Sequence, residues 1–176
     1  AGCLNRRSIL AALEEQKQLA DESGISLCLA VIDLDHFKRI NDEMGHLGGD
    51  EVLRTFAQIT QQTVRTDDFF GRYGGEEFLL VFPATPLLPA LNSCERIRSH
   101  IESYPWDGTL RGRITVSIGV TQYVLGESVL EFFSRADTAM YLAKQGGRNQ
   151  VVVQEPAVAG APADDGALAP PAHGYF

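Results

Sequence analysis

The stretch FFGRYGGEEFLLVF, residues Phe69–Phe82, is the most informative segment of the chain. Two apolar runs flank a Gly-Gly pair, which is a signal for a tight turn between two antiparallel strands. Two adjacent glutamates, Glu76 and Glu77, follow the glycines. A turn requires no acidic side chains, so this pair predicts a site at the tip of the hairpin. Paired glutamates at turns are more often solvated surface residues, and this stretch alone does not exclude that interpretation.

Composition limits the classes of function. The chain has 176 residues, of which 44% are hydrophobic, so it can form one domain with a substantial core. Its net charge of −8 argues against a DNA- or RNA-binding face, although a nucleotide ligand needs only a few cations. Three widely separated cysteines predict reduced thiols in a cytoplasmic protein. No apolar run is long enough to span a bilayer, and membrane tethering of a longer parent protein stays open.

Periodicity predicts the element order α-β-α-α-β-β-α-β-α-β. The first helix is expected over Asn5–Ser23, with Ile9, Leu10, Leu13 and Leu19 at helical spacing. The unbroken apolar run ISLCLAVIDLD predicts a central strand that is buried on both faces. This order predicts an α+β fold, in which helices pack on a mixed or antiparallel five-stranded sheet.

Other element boundaries follow from caps and composition. We expect a short helix and loop in HFKRINDEMGH and a separate helix from Gly48 to about Val64. Thr85-Pro86 predicts an N-cap followed by proline in the first helical position. Residues 1–154 are predicted to form the domain, and residues 155–176, rich in Ala, Pro and Gly, to form a disordered tail.

Asp33 lies where the apolar strand ends, and an unpaired carboxylate there is costly. Asp35 has an ordinary alternative role as a cap of the following helix. If the hairpin tip lies beside Asp33, carboxylates from adjacent strands form an oxygen-rich site suited to Mg²⁺. Such sites serve metal-assisted phosphoryl transfer.

The motifs together resemble the GGDEF domains, the catalytic domains of diguanylate cyclases. GGEEF at Gly74–Phe78 resembles the family signature, with glutamate in the third position as an accepted variant. Further motifs follow the family order over roughly residues 1–153: NRR at 5–7, DLDHFKRIND at 33–42, GHLGGD at 45–50, SIGV at 117–120, AD at 136–137, AK at 143–144 and GRN at 147–149. The usual D-x-L-T before this start is absent, so we expect the chain to be a piece of a longer protein.

The resemblance implies an enzyme of the nucleotidyltransferase class, with a fold like that of nucleotide cyclases and polymerase palms. It would condense two GTP into cyclic di-GMP and release two pyrophosphates. The implied cofactor is Mg²⁺, with Mn²⁺ as the alternative ion. Asp33 and Glu76 would be catalytic residues and metal ligands, joined by the backbone carbonyl of Leu34, and Glu76 is also the suspected base. The implied GTP-binding residues are Phe37, Lys38, Asn41, Asp50, Glu77, Lys144 and Arg148.

RTDD at Arg65–Asp68 has the R-x-x-D spacing of the family's inhibitory product site. By this resemblance, Arg65 and Asp68 would bind cyclic di-GMP beside the catalytic turn and cause feedback inhibition. Without the resemblance, Arg65 is an ordinary charge at a helix C-terminus. Arg96 or Arg98 could supply a secondary arginine for a neighbouring subunit, and the sequence does not choose between them.

The expected partners are GTP, cyclic di-GMP, a second copy of the domain in a transient homodimer, and a missing N-terminal sensor or dimerisation domain. The rival hypothesis is a catalytically inactive module that binds GTP or cyclic di-GMP as a receptor. The complete set of motif residues favours the enzyme, because a receptor that has lost turnover usually lacks at least one of them.

Overall fold

The structure is a computed structural model, and it describes residues 3–156. The elements of that range are α1 (Arg6–Ser23), β1 (Leu27–Leu34), α2 (Phe37–Thr63), β2 (Phe69–Gly74), β3 (Glu77–Pro83), α3 (Leu87–Ser103), a short 3-10 helix (Gly108–Leu110), β4 (Val116–Gln122), α4 (Val129–Gln145) and β5 (Gln150–Val153). Most of the predicted tail, residues 157–176, lies outside the described residues.

The strands form one five-stranded sheet in the order β2-β3-β1-β4-β5. β1 pairs antiparallel with β3 and with β4, and β2 pairs antiparallel with β3. β4 and β5 run parallel, so the sheet is mixed. The predicted α+β fold class, a five-stranded sheet with packed helices, is therefore confirmed.

Alternation along β1 divides the core into two layers. Cys28, Ala30 and Ile32 point to one face, where they join buried side chains of α2 and α3. Leu29 and Val31 point to the opposite face, which α1 and α4 cover. Successive strand residues alternate between faces, so Asp33 belongs to the α1/α4 side. Lys144, near the end of α4, lies close to Asp33 on that side.

The segment after β1 confirms one prediction and contradicts another. Within α2 two helices meet at Gly45, whose backbone is not helical (φ 75°, ψ 172°), so the expected short helix and separate second helix are both present, and a one-residue break stands in place of the loop. Glycine reaches this conformation without a Cβ penalty, so the chain can turn between the two helices. Asp35 does not cap the helix, because His36 occupies the N-cap position and the Asp35 carboxylate accepts hydrogen bonds from elsewhere.

Two smaller predictions also fail. Pro86, and not Thr85, is the N-cap residue of α3, because the Thr85 hydroxyl donates to the Pro83 carbonyl at 2.7 Å. Leu19 is 48% exposed although its spacing fits the buried face of α1. The N-cap residue of α4 is Ser128, whose side chain accepts from the Glu131 N–H. No helix within residues 3–156 has both the length and the apolar character needed to cross a membrane.

Candidate active site

The hairpin tip is anchored to the end of β1. Gly74 pairs with Glu77, which leaves Gly75 and Glu76 as the turn. Gly75 has a φ of 52°, a left-handed value that favours glycine. The Leu34 N–H donates to the Glu76 carbonyl at 3.3 Å, and the Arg72 Nε donates to the Gly75 carbonyl at 2.8 Å. The turn is thus held from both sides, and the backbone of Glu76 lies against Leu34.

Asp33 lies at the centre of this end of the sheet. In the strand register it is opposite Glu77 on β3 and Ser117 on β4. Its side chain is buried, with 6% of the residue exposed. Burial raises the pKa of Asp33 to about 7, with Lys144 opposing the rise and the negative charges of Glu76 and Glu77 adding to it. Three carboxylates from β1 and the hairpin tip therefore act on one another at this end of the sheet.

The surroundings of Asp33 suit a bound cation. Its Oδ1 atom is buried and accepts no hydrogen bond among the described residues, and Lys144 Nζ lies 3.4 Å away. Residues 3–156 contain no ready-made group of three or more Asp, Glu, His or Cys side chains that could hold a metal. A magnesium ion here would therefore need oxygens from the backbone and from a phosphate ligand, which is how Mg²⁺ is commonly bound at phosphoryl-transfer sites.

The two expected phosphate-binding cations come from the end of α4 and the loop after it. Lys144 Nζ lies 3.4 Å from Asp33 Oδ1 and 3.7 Å from Asp35 Oδ1. Arg148 is exposed, and its φ of 64° places it in the left-handed region. Its charge acts on His36 at the start of α2, where burial, then Arg148 and Arg39, lower the histidine pKa. Both cations are thus close to the β1–α2 junction.

An open cleft of about 450 Å³ lies between α2 and the hairpin tip. It brings together five of the sequence-predicted site residues, Phe37, Lys38, Asn41, Asp50 and Glu76. The cleft is also lined by His46, Leu53, Arg72 and Gly75. Asn41 and Asp50 come from opposite sides of the break at Gly45, so the kink in α2 brings an amide and a carboxylate to one cleft.

Gly49 is a site residue that the sequence did not reveal. A Cβ built on Gly49 would lie 1.7 Å from Asn41 Oδ1 and 3.3 Å from the Phe37 ring. Since no real Cβ tolerates such a contact, any side chain at position 49 displaces the Asn41 amide. The available signal was a glycine inside a helical stretch, which disfavours helix and so usually has a packing reason.

The predicted inhibitory residues form a separate site. The Arg65 N–H donates to Asp68 Oδ2 at 3.0 Å, and the Asp68 N–H donates to the Arg65 carbonyl at 3.1 Å. Both residues line a cavity of about 270 Å³ with Leu4, Gln61, Val64, Thr66, Phe69 and Phe70. The expectation that they lie beside the catalytic turn is wrong in space. The six residues of β2 separate them from it, about 20 Å at 3.3 Å per residue.

The two candidate secondary arginines differ in their contacts within this chain. Burial raises the pKa of Asp68, and the charges of Arg65 and Arg96 oppose that rise, so Arg96 is close to Asp68. Arg98 instead forms ion pairs with Glu95 and Glu102 and donates to Asn149. Within this chain, Arg96 is therefore the one of the two arginines whose charge acts on Asp68.

Comparison with known proteins shows the family to which the chain belongs. Residues 1–150 match the family model described as diguanylate cyclase, GGDEF domain. Diguanylate cyclase DgcM of Escherichia coli is 44% identical over 153 residues, which cover 86% of this chain and 36% of that protein. The GGDEF domain of DgcB from Caulobacter crescentus, solved in complex with c-di-GMP, is 37% identical with a TM-score of 0.82 and covers 86% of this chain and 89% of that one. The active GGEEF domain of a diguanylate cyclase from Vibrio cholerae is 33% identical, also with a TM-score of 0.82, over 88% and 99% of the two chains.

The fold is a nucleotide-cyclase-like α+β fold that matches solved GGDEF domains. The chain belongs to the diguanylate cyclase GGDEF domain family. It spans between 23% and 36% of the length of curated relatives such as DgcP of Pseudomonas aeruginosa and DgcM.

Proposed function

We propose that this domain is an active diguanylate cyclase, which condenses two GTP into cyclic di-GMP and releases two pyrophosphates. Each product molecule requires two new phosphodiester bonds, in which the 3′-hydroxyl of one nucleotide attacks the α-phosphate of the other. The observation that carries the proposal is that Asp33 pairs with Lys144 and is acted on by the charge of Glu76. Glu76 in turn lines the cleft that contains Asn41 and Asp50.

Asp33, Glu76 and the Leu34 carbonyl would hold Mg²⁺, or Mn²⁺ as the alternative. The fit rests on the buried Asp33 oxygen without a hydrogen bond and on the raised pKa of that carboxyl, since both favour a cation. When bound, the ion stabilises charge on the phosphate oxygens during transfer. Glu76 would accept the proton from the attacking 3′-hydroxyl, because it lies on the open cleft at the hairpin tip.

The remaining cleft residues would bind GTP. Guanine presents N1–H and an amino group as donors and O6 as an acceptor, a set that Asp50 and Asn41 complement. Phe37 and Lys38 would bind phosphate oxygens at the start of α2, where the helix N-terminus favours anions. Lys144 and Arg148 would neutralise the terminal phosphates, and Glu77 would support the site from β3.

One set of these residues would bind one GTP, whereas the product contains two guanosines. Two loaded domains therefore have to face each other, and a two-fold axis gives each nucleotide an equivalent partner. A preceding sensor or dimerisation segment would raise the effective concentration of the domains and so control turnover.

The Arg65–Asp68 cavity, with Arg96 beside it, would bind the product and inhibit the enzyme. The support is a cavity of about 270 Å³ that is lined by Arg65 and the backbone-bonded Asp68, together with the charge of Arg96, which acts on Asp68. The cavity lies one strand length from Glu76. Inhibition from there would be allosteric, and it requires energetic coupling between the two sites.

The test of the proposed activity is incubation with GTP and Mg²⁺ followed by chromatography of the products. The expected result is cyclic di-GMP and pyrophosphate in a 1:2 ratio for the wild type, and neither for Glu76→Gln. A control at Glu43, an exposed glutamate of α2 paired with Arg113, should retain activity as Glu43→Gln. Tight GTP or cyclic di-GMP binding without any product would favour the receptor hypothesis instead.

A further inference from the structure

Asp35 has no role in the proposed chemistry, yet its carboxylate accepts three hydrogen bonds at the end of the sheet that carries the site. It is 1% exposed. Its Oδ1 accepts from the Ser117 hydroxyl at 2.6 Å, and its Oδ2 accepts from the Thr115 hydroxyl at 2.7 Å and from the Asn149 N–H at 3.0 Å. Lys144 Nζ lies 3.7 Å from Oδ1. One carboxylate thus joins the end of β1, the start of β4, and the end of α4 with the loop after it.

The loop that Asp35 holds carries Arg148. Arg148 and Asn149 both have positive φ values, 64° and 46°, in a region that non-glycine residues rarely occupy. Such a conformation persists only where surrounding contacts impose it. The hydrogen bond from the Asn149 N–H to Asp35 is one such contact.

Asn149 is also held from the opposite side by α3. Its Oδ1 accepts from Arg98 at 3.0 Å, and its amide nitrogen donates to Glu102. Arg98 is itself fixed by ion pairs with Glu95 and Glu102. Residues of α3 therefore fix the side chain of Asn149, and Asp35 fixes its backbone. Arg148 is the residue directly before Asn149.

We propose that Asp35 is a positioning residue, which holds Lys144 and the Arg148–Asn149 loop in place to bind the terminal phosphates of the nucleotide. The inference rests on the proposed function, because it assumes that Lys144 and Arg148 contact those phosphates. Asp35 touches neither substrate nor metal in this role. Asp35 acts through the two cations. Removing its carboxylate therefore weakens binding of the β- and γ-phosphates and leaves the guanine subsite at Asn41 and Asp50 intact.

The experiment compares two ligands that differ in these phosphates. Guanosine α,β-methylene triphosphate keeps all three phosphates but lacks the oxygen bridge that the reaction breaks, and GMP has only the α-phosphate. The ratio of their dissociation constants, measured by calorimetry, reports the contribution of the terminal phosphates. Measuring the ratio with and without Mg²⁺ separates two causes of weaker phosphate binding: a change at Lys144 and Arg148, or a change in Mg²⁺ binding.

We expect Asp35→Ala to reduce the preference for the triphosphate by about tenfold, the order of one charge-assisted hydrogen bond. The loss should persist without Mg²⁺, and GMP affinity should stay at the wild-type value. In Asp35→Asn the amide oxygen can still accept from Thr115 and Asn149, and the amide nitrogen can donate to the Ser117 hydroxyl oxygen. The main loss in this variant is then the attraction to Lys144. Its expected loss is smaller, about threefold.

Thr115→Val provides a second test that does not depend on a buried charge. It removes one of the bonds that orient Asp35 and should lower the ratio by a few-fold. The matched control is Thr121→Val, at the other end of β4. Thr115 is partly buried and Thr121 is buried, and the Thr121 hydroxyl donates to the Gln154 carbonyl and accepts from Arg135. This variant should lose comparable stability in urea and keep the wild-type ratio.

The outcomes separate this inference from the proposed function. A wild type that binds neither guanine ligand contradicts the proposed function. A wild type with a clear triphosphate preference that a folded Asp35→Ala variant fully retains contradicts the positioning role alone. If Asp35→Ala does not fold, Thr115→Val decides: an unchanged ratio overturns the inference, and a lowered ratio with an unchanged Thr121→Val control supports it.

Discussion

Replacing Asp33 with asparagine is predicted to raise stability and abolish activity. Asparagine has nearly the same shape as aspartate and carries no charge. In the metal-free protein, burial raises the pKa of Asp33 to about 7, and this net rise means that the buried charge destabilises the fold despite the nearby Lys144. The same charge is needed for the proposed Mg²⁺ site, so its removal should eliminate cyclic di-GMP formation.

The sign and size of the stability change follow from proton linkage. The carboxyl has an ordinary pKa of 3.8 in the unfolded chain and about 7 in the folded protein. The fold therefore loses stability from this group as the pH rises from about 4 to about 7, and the penalty is complete above that range. The full difference corresponds to about 4 kcal/mol, which is an upper limit because asparagine must also be desolvated.

The assay is urea unfolding in EDTA at pH 5 and at pH 8. The unfolding free energy of Asp33→Asn should exceed that of the wild type at pH 8, and this excess should be smaller at pH 5 by about 2 to 3 kcal/mol. The control is Asp42→Asn, which replaces an exposed carboxylate. Its unfolding free energy should differ from that of the wild type by the same amount at pH 5 and at pH 8. An Asp33→Asn variant that is less stable than the wild type at pH 8, or an excess that does not depend on pH, would refute this reasoning.

Three further predictions concern the cleft, the second cavity and assembly. Gly49→Ala should weaken GTP binding by about tenfold or more, because its Cβ displaces the Asn41 oxygen 1.7 Å away; a variant that gains helix stability and binds GTP normally would contradict the clash. Arg65→Ala should keep the initial rate and lose inhibition by cyclic di-GMP, with Arg96→Ala weakening inhibition in part; superimposable inhibition curves for wild type and Arg65→Ala would exclude this role. Specific activity should rise with protein concentration and on fusion of a parallel coiled coil before Ala1; constant specific activity over a hundredfold dilution of a monomer confirmed by sedimentation would rule out the two-domain mechanism.

The sheet was predictable, and the candidate residues at the hairpin tip could be singled out, because their signals are local. Alternation and apolar runs mark β1, β3 and β4, since a strand buried on both faces needs apolar residues at nearly every position. The turn at Gly75 is marked by a glycine that must adopt a positive φ. The family motifs added the cleft residues Asn41 and Asp50, which local patterns alone could not assign to one ligand.

The failures concern residues whose role depends on what lies beside them in space. Asp35 has the pattern of a helix cap, but β4 and the loop after α4 offer it three donors, so it joins these segments instead. Leu19 has the spacing of a core residue, but it lies near the end of α1 where no described element covers it fully. Arg65 precedes the catalytic turn closely in sequence, whereas the extended β2 strand carries the two sites apart.

Local sequence thus specified where strands, turns and helix ends form, because each depends on the conformational preferences and burial of neighbouring residues. Only the tertiary structure decided which charges meet. The β1–β3 register places Asp33 opposite Glu77, and the packing of α4 brings Lys144 to 3.4 Å from Asp33. These contacts join residues more than forty positions apart. Their energies depend on burial and distance, which no local pattern encodes, and together they set the raised pKa of Asp33.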